Sequence, residues 1–360
     1  MKKYLVGGAV RDKLLGIADN NTEKDWLIVG SSTAEMLNLG YQKVGKDFPV
    51  FLHPESKEEY ALARIERKVG KGYNGFEFDS DKSVTLEQDL SRRDISINAI
   101  AERDGELFDP FNGRADIENG LLKHISPAFS EDPVRVLRVA RFAAQFKKFG
   151  FKVAHSTHKL MQNMVTSGEV DALTAERIFK ELSRALSVNT PSAFFKVLTA
   201  CGAYEKVFFP LKSYENERHQ NSFEKLDNMP TDSAKIRFAI WLKDENFELI
   251  GQLCQRLKCP KKYQELAQLT NQYYQFAQKF SQQNDAEILQ FFAKTDAIRR
   301  KNRFAELLQT FEVLGVDVQN ISKLTSTLAA IDVAKLDKTD IAAAIKIEKI
   351  RLIKLFIDST

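Results

Sequence analysis

The chain of 360 residues has few cysteines and lacks any long apolar run. The three cysteines, Cys201, Cys254 and Cys259, form neither an even disulfide framework nor a metal-binding pair, because no second cysteine or histidine cluster lies beside them. No apolar stretch approaches the roughly 20 residues that a membrane-spanning helix needs, and the N-terminus lacks the apolar segment of a secretion signal. These absences predict a protein of the reducing cytoplasm.

Charge of one sign is not in large excess either. There are 53 lysines and arginines against 49 acidic residues, which gives a formal net charge of +4. Because binding to a polyanion depends on where basic residues cluster, this balance permits an RNA partner without establishing one. The chain is long enough for about two to four packed domains, and internal repeats and low-complexity tracts are absent.

The first third of the chain differs in pattern from the rest. Short β-rich runs alternate with short helical stretches up to residue 125, whereas helical periodicity dominates from Asp132 onward. The predicted strands are residues 3–6, 26–29, 50–53, 60–65 and 106–108. The pattern predicts an α+β fold, with an α/β head over residues 1–125, a helical neck over 126–212 and a helical body and tail over 213–360.

Two segments have the composition of loops. Residues 67–84 include Gly70, Gly72 and Gly75, which predicts a mobile loop inside the head. Residues 213–230 are polar and end in a proline, which predicts a linker before the last helical region.

The first thirty residues hold the pattern with the clearest chemical meaning. A glycine pair, Gly7 and Gly8, follows the first β-rich run and lets backbone N–H groups approach a phosphate. Glu23 and Asp25 stand two positions apart at the start of the second run, so alternation along a strand points both carboxylates the same way. Acids that share one side can bind a metal ion beside a triphosphate, as nucleotidyl transfer requires.

Glu59 supplies a third carboxylate if its β-rich run lies beside the strand of Asp25. An acid-x-acid pair alone is more often the solvated face of a strand than a metal site. In combination with the glycine pair and Arg11, however, the two acids favour nucleotidyl transfer.

Five stretches together resemble the class II tRNA nucleotidyltransferases, the family of the bacterial CCA-adding enzymes and poly(A) polymerases. They are GGAVRD at residues 7–12, VGKDFPVFLHP at 44–54, RRDISINA at 92–99, DPFNG at 109–113 and EDPVRVLRVARF at 131–142. The similarity covers residues 1–210, and the order and combination of the stretches make it specific. It implies a nucleotidyltransferase head of the polymerase β type, followed by an all-helical neck, body and tail.

The resemblance also implies roles for individual residues of the head. Gly8 and Arg11 would hold nucleotide phosphate, and Arg93 would contact the nucleotide. Glu23 and Asp25 would bind Mg²⁺, the expected cofactor.

Base selection is implied to lie on the helix that begins near residue 132. There Asp132 and Arg135 would act as a protein template that forms hydrogen bonds with the base of CTP or ATP, with Arg138 and Arg141 nearby. These four positions are successive i, i+3 neighbours, so they line adjacent turns of one helix. A surface helix whose arginines lie over apolar neighbours is the other interpretation of this spacing. The stretch TAER at 174–177 resembles the family's next motif and is interpreted as structural, bracing the preceding turn.

Two departures from the family pattern bear on activity. The chain has glutamate at position 23 where family members usually carry aspartate, and the extra methylene moves the carboxylate by about an ångström. We therefore expect reduced activity unless the backbone compensates. In addition, no His-Asp dipeptide occurs, and His155 and His158 have no acid or cysteine nearby to complete a ligand set, so an HD phosphohydrolase domain is not expected.

The activity that the resemblance implies is addition of C, C and A to the 3′ end of tRNA from CTP and ATP, by two-metal nucleotidyl transfer. A poly(A) polymerase shares most of the motifs and is one alternative, and a catalytically weakened tRNA-binding homologue is the other. Affinity for RNA should come from phosphate contacts made by the later helices. Two basic clusters there are candidates, Lys258, Lys261 and Lys262 in one and Arg299, Arg300, Lys301 and Arg303 in the other.

Overall fold

The chain divides into a mixed α+β unit and a helical unit. A computed structural model describes residues 1–44, 50–68, 76–211 and 223–359. Unit 1 comprises Met1–Ala185 and Thr190–Ser213, and unit 2 comprises Leu186–Asn189 and Tyr214–Thr360. Within the described residues every strand belongs to unit 1, which confirms the predicted α+β class.

Unit 1 is built on a seven-stranded sheet with the order β3-β4-β5-β2-β1-β8-β9. The strands of the unit are β1 Lys2–Val6, β2 Asp25–Val29, β3 Gln42–Lys43, β4 Val50–Leu52, β5 Glu59–Leu62, β6 Ile65–Lys68, β7 Phe76–Asp79, β8 Ala101–Arg103, β9 Glu106–Phe108, β10 Leu121–Leu122 and β11 Lys152–Val153. Its helices are α1 Gly8–Leu14, α2 Thr33–Asn38, α3 Leu86–Ser91, α4 Gly113–Glu118, α5 Val134–Phe146, α6 His155–Thr166, α7 Ala175–Leu186, α8 Ser192–Ala200 and α9 Tyr204–Phe208.

The centre of the sheet determines which side chains share a face. Strand β1 runs antiparallel to β2, and β2 runs parallel to β5, so that Asp25 pairs with Val6 on one side and with Glu59 on the other. Because side chains alternate along a strand, Asp25 and Glu59 lie on one face, whereas Trp26 lies on the opposite face. The first face is covered by a core that includes Leu90 of α3, and the second by a core that includes α2.

Local sequence explains where helix α3 begins and how the chain continues after it. Thr85 and Gln88 form a capping box at the start of α3, with Thr85 Oγ1 accepting from the Gln88 backbone N–H at 3.2 Å. After α3 the chain forms a short 3₁₀ turn at Ser96–Asn98. A Cβ on Gly113 would lie only 2.4 Å from Ser96 O, so glycine lets α4 pack directly on this turn. The stretches RRDISINA and DPFNG thus form one packed substructure.

One strand prediction and one loop prediction need correction. The run predicted over residues 60–65 is two strands, because the backbone N–H of Arg64 donates to Asp89 Oδ1 at 3.3 Å and the chain leaves the first sheet there. The loop predicted over residues 67–84 is wrong for residues 67–68 and 76–79, which belong to β6 and β7, strands that pair antiparallel from Ile65↔Asp79 to Lys68↔Phe76. The predicted loop glycines at 70, 72 and 75 lie outside the described residues, as do residues 45–49 and 213–222.

Unit 2 consists of helices within the described part of the chain. They are α10 Ala234–Trp241, α11 Phe247–Arg256, α12 Lys261–Gln278, α13 Asp285–Thr295, α14 Lys301–Val313, α15 Gln319–Ala329 and α16 Ile341–Asp358. Arg237 of α10 is 1% exposed and donates from Nη1 to the carbonyl oxygens of Val188 and, at 2.8 Å, Leu186. These carbonyls at the end of α7 would otherwise lack an intrahelical partner. No described helix meets the length and apolarity needed to traverse a bilayer.

Candidate active site

The turn between β1 and α1 requires glycine at its first position. Gly7 has φ of +71°, and a Cβ there would lie 2.8 Å from Arg93 Nη1. The Gly7 N–H donates to Ile100 O at 3.2 Å, so the turn is tied to the segment after Asn98. Gly8 begins α1, which places its N–H in the first helical turn, and an added Cβ would make only ordinary contact with Arg11. The steric requirement therefore falls on Gly7, to which the family resemblance assigns no separate role.

Glu23 and Asp25 lie close enough to interact electrostatically. Although Asp25 is exposed overall, partial desolvation of its carboxylate raises the pKa of Asp25 above the usual value. The Arg93 guanidinium opposes this rise in pKa, and the negative charge of Glu23 adds to it. The two predicted metal ligands and Arg93 therefore act on one another at one end of β2.

Glu59 stands beside Asp25 in the β2–β5 register and on the same face. Across the described residues, however, no three or more His, Cys, Asp or Glu side chains are grouped to hold a metal ion. Mg²⁺ typically takes one or two protein carboxylates and completes its octahedron with substrate phosphates and water. The pair formed by Glu23 and Asp25 fits that pattern of binding, in which the substrate supplies part of the coordination.

Arg93 occupies the space between the glycine turn and the acid pair. Its side chain is 19% exposed, and it donates from Nη1 to Asn98 O at 3.3 Å and from Nη2 to Asp89 Oδ2 at 3.4 Å. Burial alone would raise the pKa of Asp89, but Arg92 and Arg93 hold that pKa below its usual value. Arg93 Nε is buried without a hydrogen-bond partner in the described chain.

Arg11 is fixed inside the unit. It is 5% exposed and donates from Nη1 to Asn98 Oδ1 at 2.6 Å and from Nε to Asp12 Oδ1 at 2.8 Å. Its guanidinium also lies 4.7 Å from the ring centroid of Phe146 on α5. Arg11 therefore joins α1 to α5.

The residues predicted to select the base are hydrogen-bonded within the protein. Arg177 of α7 donates to both carboxylate oxygens of Asp132, at 2.9 and 2.8 Å, and the Val134 N–H donates to Asp132 Oδ1 at 3.1 Å. Arg135 is 7% exposed and donates to the carbonyl oxygens of Ala128 at 2.9 Å and Arg92 at 2.6 Å. A planar fork on a carboxylate fixes both its position and its orientation.

The two following arginines of α5 are paired with buried acids. Arg138 Nε donates to Asp94 Oδ2 at 2.7 Å, and Arg141 Nε donates to Glu181 Oε2 at 2.6 Å. Burial would raise the pKa of Asp94, but Arg138 and the Asn98 side chain lower it well below the usual value. Asp94 follows Arg93 directly and Glu181 lies in α7, so the first pair fixes α5 against the segment that carries Arg93 and the second fixes it against α7.

The structure thus brings some predicted residues together and gives others different surroundings. The glycine turn, Asp25 with Glu23, and Arg93 meet, and α5 is fastened to residues 92–98 beside them. Sequence reasoning missed the carboxylate of Asp89, the amide of Asn98 and the fork of Arg177. The first two stood within or near the stretch RRDISINA, but spacing alone does not reveal which partner a long arginine reaches.

The two basic clusters of unit 2 differ in their partners. Arg299 and Arg300 are held by acids, with Arg299 Nη2 2.9 Å from an oxygen of Asp296 and Arg300 Nη2 3.1 Å from an oxygen of Glu265. Lys261 and Lys262 are exposed at the start of α12 and form no ion pair with another described residue.

Comparison with known families matches two parts of the chain. The family described as "Poly A polymerase head domain" matches residues 3–123, and the family described as "Probable RNA and SrmB- binding site of polymerase A" matches residues 150–214. The first match contains the glycine turn, the acid pair and Arg93. The second contains α7 and its Arg177.

Two relatives are similar to the chain over most of their length. The chain is 43% identical over 360 residues to the CCA-adding enzyme of Coxiella burnetii (strain RSA 331 / Henzerling II), covering 98% of this chain and 94% of the relative. It is 44% identical over 345 residues to the Multifunctional CCA protein of Nitrosococcus oceani, covering 87% and 84%. A solved tRNA nucleotidyltransferase complexed with a primer tRNA and an incoming ATP analog shares the fold, with a TM-score of 0.64, 21% identity and coverage of 98% and 96%.

Proposed function

The chain belongs to the family of CCA-adding enzymes, and from this premise we propose that it adds C, C and A to the 3′ end of tRNA using CTP and ATP. The observation that carries the proposal is the meeting of the Gly7 turn, Arg93 and the acid pair at one end of β2, in a chain 43% identical to a CCA-adding enzyme over nearly its whole length. A cytoplasmic location is part of the proposal, since tRNA is the substrate.

Each group of residues has a distinct task in the proposed reaction. The N–H groups at the start of α1, where Gly8 lies, bind phosphate, and Arg93, which lies beside the glycine turn, contacts the nucleotide. Glu23 and Asp25 would hold the metal, for which we propose Mg²⁺, in a family that is generally metal-dependent. When bound, two such ions would neutralise the triphosphate and stabilise the attacking 3′ oxygen and the leaving pyrophosphate. Glu59 places a third carboxylate beside Asp25.

Base choice is proposed to depend on α5 and α7 together. Asp132 presents a carboxylate whose orientation Arg177 fixes, and Arg135 presents a guanidinium whose position is set by backbone carbonyls. An acceptor and a planar donor at fixed positions can distinguish the edges of cytosine and adenine from those of the other bases. Arg138 and Arg141 hold α5 in place rather than contact the base.

We propose a division of labour along the chain that follows the predicted boundaries. Residues 1–125 carry out the chemistry, residues 126–212 carry the base-selecting helix, and residues 213–360 bind tRNA. The match of residues 150–214 to an RNA-binding family supports a tRNA contact that begins already in the neck. In unit 2, Lys261 and Lys262 are better suited to phosphate than Arg299 and Arg300, whose charges already face acids.

A tRNA lacking its last three residues tests the activity directly. The protein is incubated with this tRNA and with CTP, ATP, GTP or UTP separately and then with CTP and ATP together. We expect two C residues from CTP alone and a complete CCA end from CTP with ATP, with no extension afterwards. Long A tails from ATP alone would identify a poly(A) polymerase instead.

The substitution Glu23→Asp tests the remaining alternative, a weakened tRNA-binding homologue. If the site works with glutamate, the variant and the parent should add CMP at comparable rates. A large gain in rate from Glu23→Asp would show that the natural chain has a relaxed metal site.

A further inference from the structure

The face of the sheet opposite the acid pair carries a cluster around Trp26. Trp26 follows Asp25 directly in β2, so its indole lies on the other face. Lys3 Nζ lies 3.7 Å from the indole centroid, and the Tyr60 ring stacks at a centroid distance of 5.9 Å with an interplanar angle of 17°. A cation and an aromatic ring therefore restrain the indole.

Glu58 links this cluster to the residue that separates the two acids. Glu58 Oε2 accepts from Trp26 Nε1 at 3.1 Å and from Ser56 Oγ at 3.2 Å, and Glu58 Oε1 lies 3.8 Å from Lys24 Nζ. One carboxylate thus contacts both Lys24, which stands between Glu23 and Asp25, and Trp26, which follows them.

The strand register explains why these residues meet. Asp25 pairs with Glu59 in a parallel ladder, so one position earlier Glu58 stands opposite Lys24, on the reverse face. Strand β2 begins only at Asp25, so ladder hydrogen bonds do not hold the preceding residues.

We propose that Glu58 is a positioning residue for the acid pair. By holding Lys24 and Trp26 on the reverse face, it keeps Glu23 and Asp25 directed to the face that receives the nucleotide. The inference rests on the proposed function, which assigns the metal to these two acids. The restraint matters particularly with glutamate at position 23, whose additional torsion must be fixed before the carboxylate can bind a metal.

Terbium luminescence in the full-length chain measures this effect without relying on catalysis. In a Trp241→Phe background, Trp26 is the only tryptophan and can sensitise Tb³⁺, a hard cation that prefers oxygen ligands. Glu58→Ala should raise the Tb³⁺ concentration at the titration midpoint about tenfold, the usual effect of removing an outer-sphere support. Glu58→Gln retains an acceptor for Trp26 Nε1 and should raise the midpoint Tb³⁺ concentration less. Glu55→Ala, on the same turn, is the matched control and should leave it unchanged.

Kinetics provide an independent measurement. Glu58→Ala should raise the metal concentration for half-maximal CMP incorporation by a similar factor, while KM for CTP at saturating metal stays constant. A general folding defect would not produce this split. If Glu58→Ala fails to fold, Glu58→Gln carries the test, because it keeps the size of the side chain and an acceptor for Trp26 Nε1 while it loses the charge that faces Lys24.

Asp25→Asn separates failure of this inference from failure of the proposed site. If Asp25→Asn abolishes the Tb³⁺ signal while Glu58→Ala and Glu55→Ala titrate alike, Glu58 does not position the pair and only this inference is overturned. If Asp25→Asn titrates like the parent, the acid pair is not the metal site, and both proposals fall.

Discussion

Three buried arginines of unit 1 and two exposed lysines of unit 2 are held in contrasting ways. In unit 1, Arg11, Arg135 and Arg141 are 5%, 7% and 9% exposed, and each donates to named oxygen atoms. In unit 2, Lys261 and Lys262 are exposed at the start of α12. A buried guanidinium with fixed partners keeps a defined geometry, whereas an exposed cation acts mainly through its charge. The first arrangement suits recognition of one nucleotide, and the second suits attraction of an RNA backbone.

The largest expected effect tests whether the chemistry is confined to unit 1. Asp25→Asn removes a proposed metal ligand and should lower kcat for CMP incorporation about 10²- to 10³-fold, the scale of losing one preorganised electrostatic contact. The affinity for tRNA should stay constant, since the exposed cations are elsewhere. Single-turnover assays with labelled CTP and separate tRNA-binding titrations measure the two effects, with the exposed Asp104→Asn as a control. If Asp25→Asn also lowers the affinity for tRNA, catalysis and tRNA binding are not separated between the two units.

The second prediction concerns the buried pair formed by Asp94 and Arg138. The lowered pKa of Asp94 adds stability that is fully present above about pH 3.9, its value in the unfolded chain, and is lost as the pH falls toward the folded value. Asp94→Asn should cost about 2 to 3 kcal/mol at neutral pH, at the low end for a buried pair because Arg138 is a third exposed.

Urea unfolding at a series of pH values measures this contribution. The free energy of unfolding of the parent should fall more steeply below about pH 4 than that of Asp94→Asn, because only the parent has this carboxylate to protonate. Parallel curves for the two proteins would show that the pair does not stabilise unit 1 in the way proposed.

A smaller effect is expected at the fork between α7 and Asp132. Arg177→Lys replaces two parallel hydrogen bonds with a point charge, so Asp132 loses its fixed orientation. KM for CTP and ATP should rise about tenfold, the scale of one charged hydrogen bond, and discrimination against UTP and GTP should fall. Lys180→Ala, an exposed change on the same helix, is the control. If Arg177→Lys discriminates against UTP and GTP as well as the parent does, base selection does not depend on this fork.

The smallest expected effect distinguishes the two basic clusters of unit 2. The double substitution Lys261→Ala with Lys262→Ala should reduce the slope of log affinity for tRNA against log salt by about one for each phosphate that no longer faces a lysine. Arg299→Ala with Arg300→Ala should change the slope less, because acids already neutralise these arginines. Anisotropy titrations with labelled tRNA over a range of salt measure both slopes. Equal slopes for the two double variants would remove the distinction between the clusters.

The sequence predicts the parts of the site that depend on the alternation of side chains between the two faces of a strand. Asp25 and Glu59 lie in register on one face because alternation leaves few other arrangements for two adjacent strands. The partners of the arginines were not predictable in this way. Arg177 reaches Asp132 across 45 positions of sequence, and nothing in the local pattern of either residue indicates the other. The positive φ of Gly7 already favours glycine there, and the close approach of Arg93, a residue distant in sequence, could not have been predicted from the local pattern.

The course of the chain through Leu186–Asn189 limits how the protein can be divided. These four residues belong to unit 2, although the chain on both sides of them belongs to unit 1, and Arg237 caps their carbonyl oxygens. A fragment that stops before Arg237 therefore retains the segment but exposes its buried carbonyls. A catalytic fragment made by shortening the gene from its 3′ end should therefore be more stable if it extends past Arg237 than if it stops before that residue.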